Sequence, residues 1–218
     1  MERVLEPEVM DSLTEAIEYD AMDFTEINTA FAKSAIALGP PQGIVLDAGT
    51  GTGRIPVLIS QMRSKWQIIA IDAAKNMLKV AAQHVQMANL QSSISLELVD
   101  AKSLPYEDGY FDMVISNSLV HHLPDPLPFF KELKRVVKSN GGIFIRDLIR
   151  PENPEIMNAL VENIGQEYDE YQKNLFRDSL HAALTLDEVN QLISQVGLQQ
   201  VKVYQSSDRH WTAERSWN

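Results

Sequence analysis

Apolar residues follow two rhythms along this chain. From Leu13 to Leu38, LTEAIEYDAMDFTEINTAFAKSAIAL, they recur at helical spacing, and GPPQG stops the run before Ile44. An N-terminal helical segment is expected there. Short apolar runs follow, GIVLDAG, WQIIAID, SISLELVD, FDMVISN and GGIFIRD, separated by stretches that read as helices. That alternation predicts an α/β fold, a largely parallel sheet covered by helices on both faces. Farther on, Thr185 and Glu188 form a capping box before a periodic helix that Gly197 can end, and QQVKVYQSS and DRHWTAERSW read as two last strands. No repeat, low-complexity tract or linker marks a second domain, and 218 residues suit one core.

Each of the first five strands ends in a polar residue: Asp47, Asp72, Asp100, Asn117 and Asp147. Ligands of open α/β sheets bind beyond the carboxyl ends of the strands, so these five are expected to ring one crevice. Any single Asp could equally cap a helix or start a turn.

The turn after the first strand, VLDAGTGTGR, carries Gly49, Gly51 and Gly53, which allow a tight turn and close backbone approach to a ligand. It is not a phosphate loop, since Arg54 and Ile55 stand where Lys and Ser or Thr are needed. Nor does it match the dinucleotide fingerprint, whose third glycine falls one residue later. Asp47 beside the loop would repel a pyrophosphate and suits a cationic ligand. An NAD-dependent oxidoreductase is disfavoured on both counts.

Charge and composition narrow the partners. A formal net charge of −11 and a pI near 4.9 work against nucleic acid and anionic lipid. Without cysteine there are no disulfides, thiolate metal sites or Cys nucleophiles, and no metal cluster is legible. The start, MERVLEPEVMDSL, is acidic, broken by Pro7 and lacks a signal-peptide core; no run reaches the ~20 apolar residues of a membrane span. A cytoplasmic protein is expected.

In order along the chain, VLDAGTGTGR, IIAIDAAKNML, LELVDAKSLPYEDGYFDMVISNSLVHHL and ELKRVVKSNGGIFIRD resemble the successive motifs of class I S-adenosylmethionine-dependent methyltransferases, especially the group acting on small molecules, quinone-biosynthesis enzymes included. The resemblance implies a Rossmann-like, doubly wound, mostly parallel seven-stranded sheet with an antiparallel last strand. It also implies a helical cap over residues 1–42, a cofactor-binding core over 43–149, an acceptor-pocket insert over 150–184 and a final helix and hairpin over 185–218. The cofactor would be S-adenosylmethionine, leaving as S-adenosylhomocysteine, and the partner a small-molecule acceptor. Gly49, Thr50 and Gly51 would face its methionine part, with Asp47 near the amino group. Asp72 would accept both ribose hydroxyls, a task suited to a carboxylate's several acceptor sites. Ala73 and Met77 would pack on the adenine, although a Met on an amphipathic helix also serves as core. Asp100, with Ala101 beside it, would bond the exocyclic amine, and Asn117 would lie near the sulfonium.

His121 and His122 follow the fourth strand, where acceptor and methyl group would meet. Either could be a general base, with an unperturbed pKa of ~6.5, or pack the loop; His122 is the better placed of the two by resemblance. Tyr19 could close over the cofactor or pack. Arg146, Arg150 and Arg177 could clamp an acidic acceptor or form surface salt bridges. Methyl transfer to O, N or C of a small molecule is the expected reaction. The rivals are a nucleic-acid or protein methyltransferase, which SNSL disfavours by lacking an Asn/Asp-Pro-Pro-aromatic motif, and a cofactor-binding regulatory or scaffold protein without turnover.

Overall fold

The computed structural model describes residues 1–6, 12–164 and 168–218. Pro7 and three residues of the 150–184 segment lie outside them. The five expected central strands form as β1 (Gly43–Ala48), β2 (Trp66–Asp72), β3 (Ile94–Leu98), β4 (Phe111–Asn117) and β5 (Val137–Leu148). The hairpin β6 (Lys202–Gln205) and β7 (His210–Arg215) completes a seven-stranded sheet of order β3-β2-β1-β4-β5-β7-β6. All neighbours from β3 to β5 pair in parallel, and β7 runs antiparallel to β5 and β6.

The strand period of two divides the sheet's residues between two cores. Leu46, Val114, Ile143 and Ile145 join Phe129, Phe130 and Leu133 of α5 (Leu127–Val136) and Val189 and Ile193 of α8 (Leu186–Val196). Val45, Met113, Ile115 and Phe144 face Phe31, Ala32 and Ala35 of α2 (Thr25–Leu38) and Ile59 of α3 (Arg54–Met62). Burial on both faces explains why the central strands read as continuous apolar runs. The Thr185 capping box forms, and Gly197 ends α8.

The N-terminal run does not form one continuous helix. It breaks into α1 (Leu13–Ala21) and α2, because Met22 turns extended and the Asp23 carboxylate accepts the Thr25 N–H at 3.0 Å, offering the backbone a partner other than a helical carbonyl. The break turns Met22 and Phe24 into the crevice described below. α4 (Lys75–Met87) follows β2, while α6 (Pro154–Glu162) and α7 (Glu170–Ala182) occupy the segment after β5. Among the described residues no helix is long and apolar enough to cross a membrane.

Candidate active site

Strand order reverses between β1 and β4, and there a crevice opens at the carboxyl ends of the strands. It is a cavity of about 550 Å³, within the range of small-molecule sites. Tyr19, Gly49, Thr50, Gly51, Asp72, Ala73, Met77, Asp100, Ala101, Asn117, His121 and His122 all line it.

The glycine loop folds over the end of β2, with the N–H groups of Gly49 and Thr50 donating to Ile71 O at 3.0 and 2.9 Å. Gly53 opens α3 in the left-handed region, and a Cβ there would stand 2.8 Å from Ala81 Cβ. Gly51 has φ +55°, and a Cβ on it would meet nothing within 4 Å. The first glycine fits helix to helix; the second leaves the loop's surface bare.

Asp72 is braced from behind. Its Oδ2 accepts the Gly51 N–H and its Oδ1 the Ala74 N–H, each at 2.8 Å. Burial pushes the carboxyl above its ordinary pKa, and these N–H groups oppose the rise. With about two acceptor sites per oxygen, each oxygen keeps capacity for a further donor. Tyr19 shares the cavity wall, its hydroxyl pushed upward by burial and by Asp72. α1 is fixed there by Asp20, which receives Arg54 Nε at 2.8 Å and lies 3.2 Å from His84 Nε2.

Two strand-end acids depart from the expected ring. Asp47 does not line the cavity: it is 2% exposed behind the loop, where Thr50 Oγ1 donates to its Oδ2 at 2.6 Å. Burial raises its carboxyl to about 7, despite that bond. Asp147, also buried, accepts His121 Nδ1 at 2.5 Å, the Val120 N–H at 2.5 Å and the Leu148 N–H at 2.7 Å. Burial opposes charge on both partners, yet their pairing holds Asp147 below the ordinary carboxylate range and His121 above the usual imidazole value. Asp100 is half exposed, its Oδ1 capped by the Lys102 N–H at 2.8 Å.

His122 meets a residue that periodicity and motifs did not reveal. Its Nδ1 lies 3.2 Å from Glu6 Oε2, and its ring centroid 4.0 Å from that of His121. Glu6 lines the cavity because Arg3 ties the N-terminus down, donating to Ala182 O at 2.6 Å, Leu123 O at 2.8 Å, Pro124 O at 3.2 Å and His121 O at 3.3 Å. Burial works against ionised Glu6, but His122, chiefly, keeps its carboxyl below the ordinary value. Met22, Phe24 and Ile27 close one side, and Leu175 and Phe176 of α7 another. His210 lies there too, its pKa lowered by burial to about 4.

The three arginines considered as a clamp are elsewhere. Arg150 binds Ala183 O and Glu188, Arg146 stacks on Phe31 and Phe144, and Arg177 bonds Asn174. None lines the cavity.

Residues 46–145 match the family described as a methyltransferase domain. A malonyl-[acyl-carrier protein] O-methyltransferase of Marinomonas sp. is 31% identical over 153 residues, covering 70% of this chain and 55% of that protein. A demethylmenaquinone methyltransferase of Lactobacillus johnsonii is 35% identical over 112 residues, covering 51% and 46%. The chain thus spans about half the length of these curated relatives. The solved structure of a SAM-dependent methyltransferase from Aquifex aeolicus superposes with a TM-score of 0.71 at 20% identity, covering 95% of this chain and 99% of the other, and so shares its fold.

Proposed function

From the match of residues 46–145 to a methyltransferase domain we propose that this chain is a class I S-adenosylmethionine-dependent methyltransferase, which binds S-adenosylmethionine in the crevice and methylates an oxygen, nitrogen or carbon of a small acceptor. One observation carries the reading. Asp72, braced by Gly51 and Ala74, faces the cavity with free acceptor capacity beside the bare face of Gly51. Two vicinal hydroxyls suit such a carboxylate, and a methylene-bearing chain suits a loop without Cβ.

The other residues fit the same ligand. Gly49 and Thr50 would flank its amino-acid end, with Asp47 behind the loop fixing Thr50 through its hydroxyl. Ala73, Met77 and Ala101 offer apolar surface for the adenine, Asp100 an acceptor at its edge, Asn117 a polar group near the sulfonium, and Tyr19 a cover. When bound, S-adenosylmethionine supplies the methyl group as an electrophile. The chain's task is then to bind, to orient the acceptor and to exclude water, which α1, α2 and α7 do by walling the crevice. The relative named for demethylmenaquinone supports a small acceptor, and the one named for malonyl-[acyl-carrier protein] an acyl group carried on a protein. An acceptor that must lose a proton would present it to Glu6, His121 and His122, the polar cluster at the end of β4.

The test is incubation of the protein with labelled S-adenosylmethionine and a small-molecule extract of its source cells. Label transferred to a small molecule supports the reading. Bound cofactor with neither transfer nor hydrolysis would favour a regulatory binder.

A further inference from the structure

We propose that Glu6, His121 and His122 form a divalent-metal site in the wall of the crevice, taking zinc or a similar first-row transition ion and leaving a coordination position open to an oxygen of the acceptor. The role given to that open position rests on the methyltransferase reading; the site itself does not.

One ligand atom from each residue lies within 4.8 Å of the other two. Two imidazoles and a carboxylate are the donor set of catalytic zinc sites of the His2Glu kind and of non-haem iron sites, where three protein ligands leave room for substrate or water. Bonds of about 2.1 Å place ligand atoms roughly 3.4 Å apart around a tetrahedral ion. The Glu6 Oε2 to His122 Nδ1 distance of 3.2 Å already matches, so only a modest side-chain closure toward His121 is required.

Three features separate this cluster from a chance meeting of polar groups. First, His121 is oriented as metal-binding histidines are: its Nδ1 is engaged by a carboxylate, which leaves Nε2 as the ligand atom. Asp147 is itself fixed by the N–H groups of Val120 and Leu148, so the ring cannot swing freely. Second, Glu6 Oε1 is buried with no partner at hydrogen-bonding geometry among the described residues, the Ser179 hydroxyl adding only a minor pull on this carboxyl. An unsatisfied carboxylate oxygen is costly, and a cation would satisfy it. Third, Glu6 comes from 115 residues upstream of His121 and is held there by four Arg3 hydrogen bonds, one of them to His121 O. The same strap that brings the third ligand is tied to the turn that bears the other two. Because all three residues line the cavity, the open position would point to the acceptor, where a bound ion favours the deprotonated form of a coordinated hydroxyl.

Tag-free protein is stripped with chelator and titrated with zinc chloride and, separately, cobalt chloride, reading heat and the visible ligand-field absorption of cobalt. The expected result is one equivalent bound with micromolar or tighter affinity, a tetrahedral or five-coordinate cobalt spectrum, and about a 100-fold or greater loss of affinity in Glu6→Gln and in His122→Ala. Asp147→Asn is expected to weaken binding by about 10 to 100-fold. The melting temperature and circular dichroism of each variant report its folding, and a separate S-adenosylhomocysteine titration keeps failure of the metal site distinguishable from failure of the methyltransferase reading. No stoichiometric binding by the wild type, or equal affinity in Glu6→Gln and His122→Ala, overturns the proposal and leaves the cluster a hydrogen-bonded one.

Discussion

Gly51 donates its N–H to Asp72 Oδ2 at 2.8 Å, so the loop after β1 and the acid at the end of β2 hold each other in place. The bond aims the carboxylate into the crevice before any ligand arrives. Asp72→Ala is therefore expected to weaken S-adenosylhomocysteine binding by roughly 1.5 to 3 kcal/mol, the range for hydrogen bonds to a charged group. Calorimetry on both proteins checks it, with the melting temperature as a control for the lost brace; an unchanged Kd would remove Asp72 from the site.

Gly51→Ala and Gly53→Ala are expected to fail differently. Both residues have positive φ, which costs an alanine about 1–2 kcal/mol. At Gly51 the methyl enters open space, so stability drops by about that amount while cofactor affinity falls at least tenfold. At Gly53 the methyl collides with Ala81, adding about 1–3 kcal/mol of overpacking to the loss of stability. Urea unfolding alongside cofactor titration separates them, and equal stability losses would contradict the difference in surroundings.

Asp47 gives the fold a pH dependence of known sign. Burial raises its folded pKa to about 7, against about 3.9 in an unfolded chain. Between these values the folded state holds a proton that the unfolded state has lost, so stability is greatest on the acid side and declines as pH rises through 7. The slope from this group is on the order of 1 kcal/mol per pH unit. Asp47→Asn removes it, so the stability of wild type relative to the variant should fall from pH 5 to pH 7. Parallel unfolding curves at the two pH values would show that Asp47 does not titrate there.

The expected strands and their polar ends were legible because both kinds of information are local: two-residue alternation and runs of apolar positions mark the strands, and short loops follow them. Asp72, Asp100 and Asn117 reach the cavity as expected. Asp47 and Asp147 do not, since a side chain's facing depends on what lies beside it, Thr50 for one and His121 for the other. The α1–α2 break escaped detection because helical spacing continues across Met22–Phe24. Glu6 and Arg3 escaped it too: their partners lie more than 110 residues away in the sequence, and no periodicity encodes such a contact.

Arg3→Ala tests the strap. Removing four donors to backbone carbonyls is expected to lower the unfolding free energy by about 1–3 kcal/mol and to free residues 1–6 to hydrogen exchange. Unchanged exchange at Val4, whose N–H donates to His181 O at 3.1 Å, would show that the segment is held without Arg3.

The central claim is that the crevice between β1 and β4 is built for S-adenosylmethionine, and direct titration tests it most plainly. Calorimetry of the purified protein with S-adenosylhomocysteine, run beside NADH, is expected to show one equivalent bound with micromolar affinity for the former and no binding of the latter. Absence of heat with S-adenosylhomocysteine, or an equal response to NADH, would contradict it.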